Sequence, residues 1–316
     1  MEKPPKILCV SVNPALDRRI TVQGLAIGEV NRALEADPAA GGKAAHVAFV
    51  ARTLGADVRW MAFLGGPDGE SCKAGIHARG VFPVPVPISG RTRTNLEVID
   101  SATGKVTEIL EPGPKITSAE REGFLVEFEA QLREEPTVVL SGSLPDGLEP
   151  GFYRELVKLA KNAGCRVLLD TSGAALSSAL DSAPQLIKPN RQEASALLGR
   201  QIQSVQDALA AARDLRARGV KTVIVSIGDL GAVIVDDQVE LHGVPPAVNA
   251  VSTVGSGDSF LAGWAVSQAR GLPPGECLRM AIACGTANCL AKSPGIISLE
   301  SVQQFLPQIQ IRNCHS

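Results

Sequence analysis

The feature that most constrains this chain is the alternation in its second half. Thr137-Val138-Val139-Leu140 is a short apolar run of strand type, and Phe152 to Ala163 has helical periodicity with Gly164 as its stop. Arg166 to Leu169 and Leu186-Ile187 are again short apolar runs. Gln192 to Leu198 and Val205 to Arg218 read as helices, and Lys221 to Ser226 as a strand. Short apolar strands separated by amphipathic helices are βαβ units, whose strands lie parallel in one sheet. The expected fold class is α/β, with helices on both faces of a mostly parallel sheet.

Each of these strands runs out into polar or small residues. Leu140 is followed by Ser141-Gly142-Ser143 and Leu169 by Asp170-Thr171-Ser172. Ile187 is followed by Lys188-Pro189-Asn190 and Val225 by Ser226-Ile227-Gly228. In an open α/β sheet the carboxyl ends of the strands are where ligands bind. A single polar strand end is only a turn, whereas four in register point to a site.

The first half is patterned differently. Ile20 to Val22 and Val30 to Leu34 read as short strands around a Gly24/Gly28 turn region. Thr94 to Ile99 and Lys105 to Leu110 alternate on either side of Ser101-Ala102-Thr103-Gly104, which reads as a hairpin with a four-residue loop. Strand pairs inserted into an α/β chain suit a small separate sheet, such as a lid over the site. The 316 residues are read as one domain, 1–316, with lid segments at about 12–35 and 88–110.

The net charge of −2 gives no electrostatic support to a nucleic-acid role, and the 3% of aromatic residues gives no base-stacking platform. No apolar stretch is long enough to span a membrane. The seven cysteines are scattered, odd in number and free of C-x-x-C pairs, which favours reduced thiols and a cytoplasmic protein.

The chemistry concentrates at glycine turns. In Gly255-Ser256-Gly257-Asp258 the backbone can fold tightly and expose its N–H groups at the start of the apolar run Phe260, Leu261, Trp264. First-turn amides and the helix dipole together make an anion site, suited to phosphate. Asp258 in that ring would repel a phosphate, so it is a candidate base for a hydroxyl proton. A plain N-cap role is the alternative, and propensity alone does not choose between the two. A second turn, Gly41-Gly42-Lys43, precedes the periodic run Val47, Val50, Ala51, Leu54. Lys43 is a poor choice beside a positive dipole unless an anion sits there, or unless its side chain snorkels away. Arg91 and Arg93 are either solvent-facing charges or a grip for a sugar phosphate. Two familiar phosphate motifs are absent. Ala44 follows Gly42-Lys43 where a Walker A loop needs Ser or Thr, and Phe260 breaks the dinucleotide glycine pattern.

In order along the chain stand Asn13-Pro14-Ala15-Leu16-Asp17; Ala40-Gly41-Gly42-Lys43; Thr92-Arg93-Thr94-Asn95; Glu108 with Glu111-Pro112-Gly113-Pro114; Ser141-Gly142-Ser143-Leu144-Pro145; Asp170-Thr171-Ser172-Gly173; Lys188-Pro189-Asn190 with Glu193; Ser226-Ile227-Gly228; and Thr253 to Ser259. With these pieces the sequence resembles the PfkB/ribokinase family of sugar kinases, most closely its branch of 1-phosphofructokinases and tagatose-6-phosphate kinases. The resemblance implies a ribokinase-like three-layer α/β/α fold with a small β-sheet lid. It implies ATP and Mg²⁺ as cofactors and a sugar phosphate as the other partner. Asp258 would be the catalytic base, with Gly255, Ser256 and Gly257 in the anion hole. Asp17, Gly41, Gly42, Lys43, His46 and Arg93 would contact the sugar phosphate. Lys188, Asn190, Ser226, Gly228 and Gly231 would line the nucleotide side, and Asn190 with Glu193 would organise Mg²⁺ through water. A homodimer through the lid is the one protein partner expected.

One departure stands out. The family pattern reads A-G-G-K-G-x-N, and here Ala44 replaces a glycine and His46 the asparagine. His46 is expected either to donate to a sugar hydroxyl or phosphate, altering recognition, or to fill space.

Overall fold

The computed structural model describes residues 3–133 and 136–314. The first half contributes β1 (Lys6–Ser11), β2 (Ala15–Val22), β3 (Ala33–Gly41), α1 (Lys43–Thr53), β4 (Asp57–Leu64), α2 (Gly66–Ala78), β5 (Phe82–Pro87), β6 (Arg93–Asp100), β7 (Lys105–Leu110) and α3 (Ser118–Leu132). The βα alternation continues as β8 (Thr137–Ser141), α4 (Phe152–Asn162), β9 (Arg166–Asp170), α5 (Gly173–Leu180), β10 (Leu186–Ile187), α6 (Arg191–Leu198), α7 (Val205–Arg216) and β11 (Thr222–Ser226). The chain closes with β12 (Ala232–Val235), β13 (Glu240–Val244), α8 (Ser256–Ala269), α9 (Pro274–Cys289), α10 (Leu299–Phe305) and β14 (Gln310–Asn313).

Ten strands form the main sheet, in the order β14-β13-β12-β11-β10-β9-β8-β1-β4-β5. From β5 to β11 all neighbours are parallel, and β12, β13 and β14 extend one edge antiparallel. The inner parallel strands are largely apolar because both faces are covered, and the alternation of side chains divides them between two cores. Ile7 and Cys9 of β1 pack with α1, α8, α9 and α10, while Leu8 and Val10 pack with α3, α4, α5 and α7. The chain leaves β1 towards β4 and β5 on one side and later returns to β8 on the other. The switch point, where a doubly wound sheet opens a crevice, therefore lies between β1 and β8.

A second sheet has the order β3-β2-β6-β7, with β2 and β6 parallel and both flanking pairs antiparallel. Its hairpin turns at residues 101–104 as the pattern predicts. The strand expected at Val30 to Leu34 lies elsewhere, starting at Ala33 and running to Gly41, past the expected segment end at 35. The reason is local hydrogen bonding. The Asn31 side chain accepts from Ala26 N at 2.9 Å and donates to the Ala26 and Glu29 carbonyls, so Val30 sits in a closed loop. The true strand, Ala-Leu-Glu-Ala-Asp-Pro-Ala-Ala-Gly, lacks apolar alternation and is held by its pairing with β2.

Candidate active site

Helix α8 begins with Gly255 as its N-cap, in the left-handed region at φ 77°, with no side-chain cap. A Cβ there would stand 2.7 Å from Pro294 Cβ, so glycine is required twice over. Asp258 is therefore the third residue of the helix, and the N-cap role belongs to Gly255. The amide of Ser256 donates back to Thr253 O at 3.2 Å, while those of Gly257 and Asp258 have no helical acceptor. Behind this turn lies Asn288, 1% exposed, which no motif in the sequence singles out. It donates to Val254 O at 2.7 Å and accepts from Gly295 N at 2.8 Å and from the Ser259 hydroxyl at 3.0 Å, fixing the glycine turn to α9. Its one visible signal is an amide in the largely apolar second half of α9.

Helix α1 starts the same way. Gly42 is its N-cap at φ 86°, again without a side-chain cap. Gly41 lies so close to Asp17 that a Cβ would overlap its carboxylate. Asp17, on β2, accepts from Gly42 N at 3.3 Å and from Asn95 Nδ2 at 2.9 Å. One turn into α1, His46 is buried at 7% exposure, and its two ring nitrogens face two carboxylates. Nδ1 lies 2.9 Å from Asp258 Oδ2, and Nε2 lies 3.4 Å from Asp17 Oδ2. Burial pulls the imidazole toward neutrality. The hydrogen bonds and charges of Asp17 and Asp258 outweigh it and raise the pKa to about 10, so the ring is charged at neutral pH. The structure thus gives both ring nitrogens to carboxylates, where the sequence suggested a direct donor to a hydroxyl or phosphate.

Asp170, at the end of β9 and 1% exposed, joins two lysines. Its Oδ1 lies 3.3 Å from Lys43 Nζ and its Oδ2 3.2 Å from Lys188 Nζ. Asp170 raises the affinity of Lys43 for its proton above the usual range, against the opposing effect of burial. For Asp170 itself, burial favours the neutral acid, and Lys188 and Lys43 reverse that and hold it ionised. Lys43 is therefore turned inward rather than snorkelling away. Lys188 Nζ also lies where a Cβ on Gly257 would meet it at 3.4 Å, beside the open amides of α8. Two cations and a bare helix terminus converge on one edge of the sheet.

Arg93 donates to Glu111 O at 2.8 Å and to Asn13 O at 3.0 Å, and its buried Nε has no acceptor. Asn13 reaches Ser143 Oγ at 3.2 Å and so spans the switch point between β1 and β8. A cavity of about 510 Å³ opens along Arg93, Glu111 and Lys115. Arg91 also lines this cavity, but its guanidinium is largely exposed and pairs with Asp68 of α2. On the other side of the crevice, Asn190 and Glu193 form a reciprocal capping box at α6. Glu193 Oε2 accepts from Asn190 N at 2.8 Å, and Asn190 Oδ1 accepts from Glu193 N at 2.9 Å. Asn190 is bridged to Ser226 at the end of β11. Gly228 and Gly231 form the tight turn beyond, at φ 66° and 91°. The described residues contain no cluster of three or more acidic, histidine or cysteine side chains suited to direct metal ligation. One carboxylate beside one amide does fit Mg²⁺, which keeps most of its waters and takes few protein ligands.

Residues 7–301 match the family described as pfkB family carbohydrate kinase, and the chain belongs to that family. It is similar to the 1-phosphofructokinase of Rhodobacter capsulatus, 37% identical over 281 residues and 88% of each chain. It is also similar to the 1-phosphofructokinase of Bacillus subtilis (strain 168), 31% identical over 305 residues, which are 96% of this chain and 99% of that one. Among solved structures it resembles phosphofructokinase-2 from Escherichia coli in complex with fructose-6-phosphate. The TM-score is 0.88 at 28% identity, covering 96% of this chain and 98% of the other. The fold is accordingly ribokinase-like, and the protein is a carbohydrate kinase. No helix among the described residues is long and apolar enough to cross a membrane.

Proposed function

We propose that this chain phosphorylates a ketohexose monophosphate with ATP, and that fructose 1-phosphate, giving the 1,6-bisphosphate, is its substrate. The observation that carries this reading is the near full-length match to chains named 1-phosphofructokinase. Tagatose 6-phosphate and fructose 6-phosphate are the competing substrates within the same chemistry. The whole chain acts as one domain, with the small sheet as its lid and as the face through which a homodimer would form.

In this reading the sugar phosphate lies between the lid and the carboxyl ends of the strands. Arg93 takes its phosphate, because the buried Nε lacks an acceptor that an anion would supply. Asp17, held by Asn95 and Gly42, accepts from sugar hydroxyls. The free hydroxyl attacks the γ-phosphorus of ATP in line, and Asp258 accepts its proton. The amides at Gly257 and Asp258, with Lys188 and Lys43, face the charge that develops on the transferring group. Ser226, Gly228 and Gly231 line the nucleotide side. Mg²⁺ would be held through water by Glu193 and Asn190 and would neutralise the phosphates. An ADP-release assay with the three ketohexose phosphates tests this. Fructose 1-phosphate should show the highest kcat/KM, and ADP formation with none of them would sink the reading.

A further inference from the structure

We propose that His46 is a positioning residue of the transfer reaction. Through Nδ1 it fixes one oxygen of Asp258, and through Nε2 it ties that carboxylate to Asp17 on the lid, so that one ring sets both groups that handle the sugar. The inference rests on the reading of Asp258 as the base.

Three observations carry it. The first is the geometry, with 2.9 Å from Nδ1 to Asp258 Oδ2 and 3.4 Å from Nε2 to Asp17 Oδ2, on opposite edges of a rigid ring. Only the imidazolium has N–H donors on both edges, since a neutral ring would present a lone pair to one carboxylate. The second is the packing that holds the ring in place. His46 is 7% exposed, its helix packs on α8, and a Cβ on Gly295 would come within 2.8 Å of the His46 Cα. The ring therefore has little room to take another rotamer. The third is the set of charges around it. Asp17 faces it from β2 and Asp258 from α8, and Glu108 of β7 acts at longer range. Lys43, on its own helix, turns to Asp170. The carboxylates of Asp17 and Asp258 act most strongly on the imidazole and hold its proton to about pH 10.

The consequence for the reaction is directional. Oδ2 of Asp258 is occupied by a charged donor, which leaves Oδ1 as the oxygen available to the sugar hydroxyl. Asp17 belongs to the small sheet and Asp258 to the body, so the ring also ties the orientation of the base to the position of the lid. The arrangement is complete while His46 is charged and is lost as pH rises through its pKa.

The test compares wild type with His46→Asn, His46→Gln and Asp258→Asn. kcat/KM for fructose 1-phosphate is measured from pH 6 to 10.5, together with the histidine ring signals of isotope-labelled protein. His46→Asn keeps a neutral donor near Asp258 and gives up the reach to Asp17. The expected result is a kcat lowered about tenfold or more near pH 7.5, with KM for ATP unchanged. Wild type should lose activity at alkaline pH, and this fall should be absent from both His46 variants. The His46 ring signal should stay in its charged form up to pH 9 in wild type and titrate several pH units lower in Asp258→Asn. A ring that titrates near the ordinary histidine range in wild type would overturn the proposal. So would His46→Asn and His46→Gln profiles parallel to wild type beside an inactive Asp258→Asn, which would leave the base reading intact. If Asp258→Asn instead keeps its turnover, the base assignment itself fails, whatever the ring signal shows.

Discussion

Two sets of helix N-termini in this molecule are built in opposite ways. Helices α3, α6 and α7 begin with complete capping boxes, Thr117 with Glu120, Asn190 with Glu193, and Ser204 with Asp207. Helices α1 and α8 begin with glycine at positive φ and no side-chain cap at all. Measured against glycine, a capping side chain is worth roughly a few tenths of a kcal/mol, so the second pair forgoes a little of the stability that the first set keeps. Other helices also lack a side-chain cap, but the pair that starts on a positive-φ glycine is the one where Lys43, Lys188, His46 and Asp258 gather. Amides closed by their own side chains support structure, and amides left open can serve a ligand. Asn190 and Glu193 are the intermediate case, a closed cap placed at the nucleotide edge of the site.

The largest effect that would sharpen this contrast is at the open terminus of α8. Asp258→Asn should keep the fold, since the change is nearly isosteric, and lower kcat by on the order of 10²–10⁴. A loss below about tenfold, equivalent to ~1.4 kcal/mol, would remove the functional reason for leaving that terminus uncapped. Next in size is Arg93→Ala. Loss of a charge-assisted contact of roughly 1.5–3 kcal/mol should raise KM for the sugar phosphate with little change in KM for ATP. Equal shifts for both substrates would reduce Arg93 to a strut between Glu111 and Asn13.

Glu193→Gln addresses the intermediate case. Glutamine can still close a capping box, so the melting temperature should hold, while the Mg²⁺ concentration needed for half-maximal rate should rise several-fold. An unchanged Mg²⁺ requirement would place the pair wholly with the structural caps. The smallest effect is expected at Ser204→Ala. It should cost about 1 kcal/mol, or roughly 2 °C in melting temperature, and leave kinetics untouched. A kinetic change there would blur the distinction between closed and open termini.

Much of the fold was legible because the parallel strands are continuous apolar runs and their ends are polar. Strands β8, β9, β10 and β11, and helices α4, α6 and α7, fall within a few residues of where the pattern places them. Strand β3 was not legible. Its alanines carry no alternation, and its partner β2 supplies the only reason for its conformation. The antiparallel edge β12, β13 and β14 was likewise beyond reach, since β14 lies far along the chain from the strand it pairs with. In the site, Asp258, Gly255, Gly41 and Lys43 could be singled out because glycine turns before helices have a local physical meaning. Arg91 and Arg93 looked alike in sequence, and tertiary contacts separate them, Asp68 for Arg91 and the Glu111 and Asn13 carbonyls for Arg93.

A parallel α/β sheet with a small inserted sheet, bare helix starts at 42 and 255, and a set of charged residues at the strand ends are all written locally along the chain. They are consequences of periodicity and of backbone freedom at glycine, which act over a few residues. Which charges meet is a matter of packing alone. His46 and Asp258 are separated by 212 positions, and Lys43 and Asp170 by 127. Their pairing comes from α1 packing beside α8 and from Lys43 turning to the end of β9. A buried charge is stable only where packing brings it an opposite one, and no local pattern along the chain encodes that meeting.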